Sequence, residues 1–230
     1  MYDYQEVCPV SKAASVLCER WTLQIVREML FGATRFSEFQ KYLPRISPTL
    51  LNARLRSMVD EGIVVRRKIP GQRGYEYQLT PCGLALEPLL TEMGKWGIRW
   101  VFDNMNPDEI NLSATVRDFA VALRTDQLPS GDTTIQLTVP GEEGTTKKFI
   151  LVRDGASQVC EDNPGHDVDV YLTARLETLA KIWFGEVTVE QARQAGELKV
   201  VGEAFFVRNL SKWLGVSRFA PEHPARKARG

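Results

Sequence analysis

Cysteine and histidine are both scarce in this sequence. Its four cysteines, Cys8, Cys18, Cys82 and Cys160, are scattered and form no CxxC pair. That excludes a disulfide scaffold and leaves no zinc-ligand spacing, so reduced thiols are expected. The two histidines are His166, in a Pro-Gly turn, and His223, near the C-terminus, and neither lies near a credible nucleophile or a ligand-spaced partner. P-loop, dinucleotide-fingerprint and HExxH motifs are missing as well. These absences argue against an enzyme and against a bound metal or cofactor. No apolar run approaches the roughly 20 residues of a membrane span, and the opening MYDYQEVCPVSK has acidic residues but no apolar h-region. A cytoplasmic protein without a membrane partner is the expectation.

Net charge is zero over 230 residues, but it is unevenly spread. Between 35 and 75, Arg35, Lys41, Arg45, Arg54, Arg56, Arg66, Arg67, Lys68 and Arg73 face only Glu38, Asp60 and Glu61, which leaves the remainder acidic. A polyanion is the partner such a basic segment suits.

That segment contains a run with a clear helical period, ISPTLLNARLRSMVDEG from Ile46 to Gly62. Ser47 suits the N-cap and Pro48 the first helical position, where no amide donor is needed, while Gly62 suits the left-handed C-cap. Leu51, Leu55, Met58 and Val59 form an apolar stripe, and Thr49, Asn52, Ala53, Arg56 and Asp60 cluster opposite. Short hydrogen-bonding side chains and an arginine are what a recognition helix offers to base edges in a major groove, although a plain amphipathic helix has the same period. Three helices are expected before it, over Val10 to Cys18, with Val10, Ala13, Ala14 and Leu17 sharing a side, over Trp21 to Phe31 and over Arg35 to Leu43. The last two helices of this series then form a helix-turn-helix. Two β-rich runs follow, Ile63 to Ile69 and Tyr75 to Leu79, joined by Pro70-Gly71-Gln72-Arg73-Gly74 in a basic hairpin. Thr80 caps an expected long helix from Pro81 to Phe102, bent at Pro88, with Leu86, Leu89, Met93, Trp96 and Trp100 three or four apart. Such a seam either pairs with a partner helix or packs within its own domain.

Trp21-Thr22-Leu23, Arg35-Phe36-Ser37-Glu38, Ile46-Ser47-Pro48, Leu51, Arg54-Leu55, Glu61-Gly62-Ile63-Val64, Tyr77-Gln78-Leu79-Thr80, Gly83 and Trp96-Gly97 resemble the signature of the HxlR-type winged-helix regulators over about residues 7 to 102. The resemblance implies a bacterial homodimeric transcription regulator with a basic wing and a dimer interface built from the N-terminal and long C-terminal helices. It departs at Cys18-Glu19-Arg20, where the family often has Gly-Gly-Lys, and in a wing without the usual Pro-Pro-Arg.

DNMNP, from Asp103 to Pro107, marks a boundary. Beyond it a helix is expected over Asp108 to Gln127, with Ile110, Leu112, Val116, Phe119, Val121 and Leu123 mostly inward. Strands at Thr133 to Val139, Lys147 to Arg153, Ser157 to Glu161 and Asp167 to Thr173 read as an antiparallel meander with one apolar face. Helices at Leu176 to Phe184, Val189 to Ala195 and Glu203 to Leu214 supply its cover, with a short strand at Leu198 to Val201. The run DVDVYLTARLETLAKIWFGEVTVEQARQAGELKVVG resembles the sterol-carrier-protein-like (SCP2-like) domain, and the likeness extends over about residues 108 to 220. This resemblance implies helices layered over a sheet, with an apolar cavity for a lipid-like or acyl ligand. From the residues themselves, Phe119, Leu137, Leu151, Leu172, Leu179, Trp183, Phe206 and Trp213 either line such a cavity or fill a core.

The expected architecture is therefore a mainly α winged helix-turn-helix domain at 1–105, an α+β domain with an antiparallel sheet covered by helices at 106–220, and a flexible tail at 221–230. The expected function is a homodimeric, sequence-specific regulator of double-stranded DNA whose second domain modulates affinity through an apolar ligand. Thr49, Asn52 and Arg56 are assigned to base edges; Arg35, Arg45, Ser47, Arg66, Lys68 and Arg73 are assigned to phosphates or the minor groove. Two alternatives remain. One is a thiol switch at Cys8, a position where members of the resembled family often carry a lone cysteine; the neighbours Glu6, Val7 and Pro9 offer no nearby cation except Lys12, which favours an inert packed thiol instead. The other is a lipid carrier whose DNA-binding module serves only localisation.

Overall fold

The structure, a computed structural model, describes residues 5–102, 106–142, 144–165 and 167–224. His166, residues 103–105 of the expected boundary and residues 225–230 of the expected tail lie outside the described residues. The chain divides into two compact units, Met1–Gly94 and Lys95–Gly230.

The first unit begins with α1 (Pro9–Leu17), α2 (Thr22–Leu30), α3 (Phe36–Tyr42) and α4 (Pro48–Asp60). Val10 and Ala13 of α1 are exposed, and Val16 and Leu17 pack against the core. The Glu38 carboxylate accepts the amides of Thr34 and of the N-cap Arg35, each at 2.8 Å, which satisfies the N-cap donor and fixes the chain entering the helix. At the start of α4 the Ser47 hydroxyl accepts the Leu50 amide at 3.3 Å. At its end Gly62, with φ of +70°, lets the Gly62 and Ile63 amides reach the Val59 and Met58 carbonyls, both at 3.0 Å. Ile25, Val26, Phe39, Leu51, Leu55, Met58 and Ile63 close the core, and Phe39 meets Tyr77 edge-on at 6.4 Å between ring centroids. Next come β1 (Val64–Lys68) and β2 (Tyr75–Leu79), an antiparallel pair running from Val64 opposite Leu79 to Lys68 opposite Tyr75.

The expected single helix from Pro81 to Phe102 is two helices, α5 (Pro81–Leu84) and α6 (Glu87–Trp100). Pro88 does not bend a continuous helix. It has no amide to give the Leu84 carbonyl, and its ring would strike that carbonyl, so α5 stops short and Pro88 sits in the first turn of a new helix, where proline is tolerated.

The second unit carries α7 (Leu112–Ala122), β3 (Thr133–Gly141), β4 (Gly144–Arg153), β5 (Ala156–Cys160), β6 (Val170–Ala174), α8 (Leu176–Phe184), α9 (Val189–Gln194), β7 (Leu198–Gly202), α10 (Ala204–Arg208) and α11 (Leu210–Trp213). The helix expected over Asp108 to Gln127 is trimmed to α7 between short 3-10 turns, with the Asn111 side chain accepting the Ala114 amide at 2.9 Å as its cap. Val121, expected to face inward, is exposed.

The strands run in the order β5-β4-β3-β6-β7, and β3 and β6 are parallel, so the sheet is mixed and not the antiparallel meander. Alternation along a strand tells which face is buried but not which edge of the sheet the next strand joins. Here Asp169 ties the head of β6 to β3. Its carboxylate accepts the Thr134 amide at 2.7 Å and its own amide donates to the Thr134 carbonyl at 3.0 Å. The covering helices press Val116, Phe119, Leu179, Ile182, Trp183, Leu210 and Trp213 onto Ile135, Leu137, Ile150, Val170 and Leu172.

Residues 221–224, expected in a flexible tail, are folded. A 3-10 turn at Ala220–Glu222 buries His223 edge-on against Phe102, with centroids 6.0 Å apart, and Phe102 lies 4.7 Å from Phe184. Gly185 permits this: at φ of +79° it brings the end of α8 so near Ala220 that a side-chain carbon there would come within 2.9 Å of the Ala220 Cβ.

Candidate nucleic-acid interface

Thr49, Asn52, Ala53, Arg56 and Asp60 are all exposed along one side of α4, while Leu51, Leu55 and Met58 hold its opposite side in the core. Ser47 is exposed at the start of the helix and Arg45 just before it. The hairpin is tied to the start of α3. The Tyr77 amide donates to the Thr34 carbonyl at 2.8 Å, Arg35 bridges to Glu76 through the backbone, and Arg35 Nη2 donates to Gln72 Oε1 at 3.1 Å. Arg66, Lys68 and Arg73 are exposed, and the Arg66 guanidinium stacks 3.4 Å above the Tyr75 ring, which holds its charge over the hairpin surface. Arg35 thus sits between α3 and the hairpin turn. Gln72 was missed from the sequence because a glutamine in a polar turn carries no signal of its own.

Arg54 is also basic and on α4, but it points elsewhere: its guanidinium pairs with Glu19 in the turn between α1 and α2, and Arg54 Nε is buried without a hydrogen-bond partner. No periodicity could have revealed this pair, since its members are separated by two helices. The only trace was the Glu19 that departs from the Gly-Gly-Lys run of the resembled family.

Cys8 is exposed at the N-cap of α1, directly before Pro9. Its thiol pKa is lowered from the ordinary value, first by the Ser11 amide, then by the Val10 amide and the Ser11 hydroxyl, because unpaired amides at a helix start favour the thiolate. The cue in the sequence is the Cys-Pro step at a helix start, which a search for neighbouring cations does not reveal.

Of the seam residues, Leu86 packs with Leu90 against the first unit's core, but Leu89, Met93, Trp96 and Trp100 are exposed.

In the second unit Phe119, Leu137, Leu172 and Leu179, with Ile182, Leu198 and Leu214, surround a cavity of about 10 Å³. That is space for one water at most. Trp183, Phe206 and Trp213 belong to the same core but fill it: Trp183 meets Phe119 edge-on at 5.3 Å, Phe206 meets Trp213 at 6.2 Å, and the Trp213 indole donates to the Phe206 carbonyl at 3.0 Å. Leu151 alternates with Ile150 and Val152 and so lies on the opposite face of the sheet. Among the described residues, no three His, Cys, Asp or Glu side chains converge as a metal site needs, and no helix is long and apolar enough to cross a membrane.

Comparison with known proteins bears on both halves. The HxlR-like helix-turn-helix family matches residues 16–105, and the SCP-2 sterol transfer family matches residues 120–215. The uncharacterised HTH-type transcriptional regulator YvaP of Bacillus subtilis (strain 168) is 42% identical over 101 residues, which cover 43% of this chain and 94% of YvaP. The similarly uncharacterised regulator YybR of the same organism is 34% identical over 100 residues, covering 42% of this chain and 78% of YybR. Among solved structures, the reduced form of the transcriptional regulator YodB from B. subtilis is 30% identical, covering 44% of this chain and 100% of that one with a TM-score of 0.37. The chain belongs to the HxlR-like helix-turn-helix family of transcriptional regulators, and carries an SCP-2 domain behind its winged helix.

Proposed function

We propose that this regulator binds double-stranded DNA sequence-specifically as a homodimer, with Thr49, Asn52 and Arg56 at base edges and Arg35, Arg45, Ser47, Arg66, Lys68 and Arg73 at phosphates or in the minor groove. The observation that carries the reading is the exposed polar side of α4 beside a basic hairpin tied to α3. The exposed seam of Leu89, Met93, Trp96 and Trp100 supports self-association, because a row of large apolar side chains in water favours burial against a second copy. The test is a DNA titration at several salt concentrations. Arg73→Ala is expected to weaken binding to all duplexes alike and to lower the salt slope by about one unit; an unchanged slope would count against a wing contact. Sedimentation of the full chain is expected to show a dimer that Met93→Glu with Trp96→Glu converts to monomer.

The second domain, on this reading, modulates DNA affinity through an apolar ligand. Since the cavity between Phe119, Leu137, Leu172 and Leu179 has room for one water at most, uptake there requires the covering helices to part from the sheet. Titration with a saturated fatty acid, read by tryptophan fluorescence and by DNA affinity, checks this; no change in either would remove the ligand from the mechanism.

A second reading has its own observation, the exposed Cys8 thiol against the α1 amides. On that reading oxidation or alkylation of Cys8 alters DNA binding. Peroxide treatment is expected to change the affinity of the wild type and not of Cys8→Ser, and identical responses would end the idea.

A further inference from the structure

The turn between α1 and α2 is held in a conformation that its own residues would not choose. Trp21 has φ of +79°, in the left-handed region that a bulky side chain seldom adopts. Such a residue persists only where its surroundings over-determine it. On one side the Arg20 guanidinium lies 5.3 Å from the Trp21 ring centre. On the other, Glu19, two residues before Trp21, accepts the Thr22 amide through its carbonyl at 3.1 Å, while its carboxylate pairs with Arg54 of α4. The side chains of Arg54 and Glu19 are only 14% and 22% exposed, so water and salt screen this pair far less than a surface one.

The contacts that press α4 onto the core are of a different kind. Leu51, Leu55 and Met58 are buried, but apolar contact has no preferred direction. A guanidinium on a carboxylate is directional. Arg54 projects from the side of α4 turned away from Asn52 and Arg56, but all three are carried by one helix, so the rotation that lays Arg54 on Glu19 also sets the direction of the two side chains assigned to base edges.

We infer that Glu19 and Arg54 are positioning residues whose ion pair fixes the rotation of α4 about its own axis, and with it the discrimination between DNA sequences. The inference rests on the DNA-binding reading above. Neither residue needs to touch DNA for this.

The test uses the full chain and a duplex selected by the wild type from a randomised pool, with a scrambled duplex as reference. Glu19→Gln and Arg54→Met are each expected to lower the ratio of the two affinities about tenfold, the scale of one lost base contact. The double variant should be no worse than either single one, and the affinity for the scrambled duplex and its salt slope should stay constant. Circular dichroism melting establishes that each variant is folded in the assay. If the single variants unfold, the charge-swapped pair Glu19→Arg with Arg54→Glu decides: recovery of both fold and ratio supports positioning, and recovery of fold alone overturns it. A folded Glu19→Gln with an unchanged ratio also overturns it, as does Arg54→Met losing affinity for both duplexes and about one unit of salt slope, which would make Arg54 a phosphate ligand. A wild type that prefers no duplex would instead sink the DNA-binding reading beneath it.

Discussion

Helices α4 and α8 both pack onto a core, yet α4 leaves one side in water and α8 leaves little. Thr49, Asn52, Ala53 and Arg56 of α4 are exposed, whereas Thr178, Leu179, Ala180, Ile182 and Trp183 of α8 are buried around most of the helix. A helix with a free polar side can be read for what it touches; a helix buried around most of its circumference tells mainly what it is packed against. The first unit therefore displays its chemistry, and the second encloses it.

The sharpest way to probe that difference is to open the enclosed side. Trp213→Ala removes a side chain with no exposed surface together with its hydrogen bond to Phe206, and should destabilise the second unit by about 3–5 kcal/mol. Urea denaturation checks it; a loss below about 1 kcal/mol would mean that the interior collapses onto the gap instead of depending on the indole. On the displayed side the expected effect is smaller. Arg56→Ala should cost about 1–3 kcal/mol in DNA affinity and relax the preference at one base pair, measured by competition between single-base variants of the duplex. A uniform loss over all sequences would move Arg56 to the backbone. Smallest of all is the effect of the α1 amides on Cys8. Since they favour the thiolate, the alkylation rate of Cys8 should rise at a lower pH than that of free cysteine, and unfolding in denaturant should return the profile upward. Superimposed profiles would show that the helix start does not reach the sulfur.

The same contrast explains how far the sequence alone could be read. Ser47, Pro48 and Gly62 marked both ends of α4 because caps are local chemistry, and the observed helix keeps them. The hairpin from Val64 to Leu79 was equally local. Misreadings gathered where distant parts meet. Pro88 is the local exception: an isolated proline in a helical pattern suggests a bend, but with no amide for the Leu84 carbonyl the chain ends one helix and starts another. β6 lies beside β3, where Asp169 meets Thr134, and no periodicity connects these two residues. His223 looked like part of a polar tail, and its burial depends on Phe102 and on the clearance at Gly185. In the site, exposure of the assigned α4 side chains followed from the helical period, whereas the Glu19 to Arg54 pair required the turn between α1 and α2 to be seen in place. Large apolar residues in the second unit could be named but not sorted into lining and filling, because both uses select the same side chains.

The parallel pairing of β3 with β6 has a kinetic consequence. Strands β3, β4 and β5 are joined by tight turns and can zip together as hairpins, but Ile135 reaches Val170 only after the whole of β4, β5 and the connection beyond them has been closed into a loop. Closing that loop costs chain entropy before any of its contacts form. During refolding from denaturant the winged helix, built from near neighbours in the chain, should recover its signal first, and the sheet of the second unit should trail as a slower phase. A nascent chain leaving the ribosome meets the same order, with its DNA-binding half folded while one edge of β3 still waits for a partner.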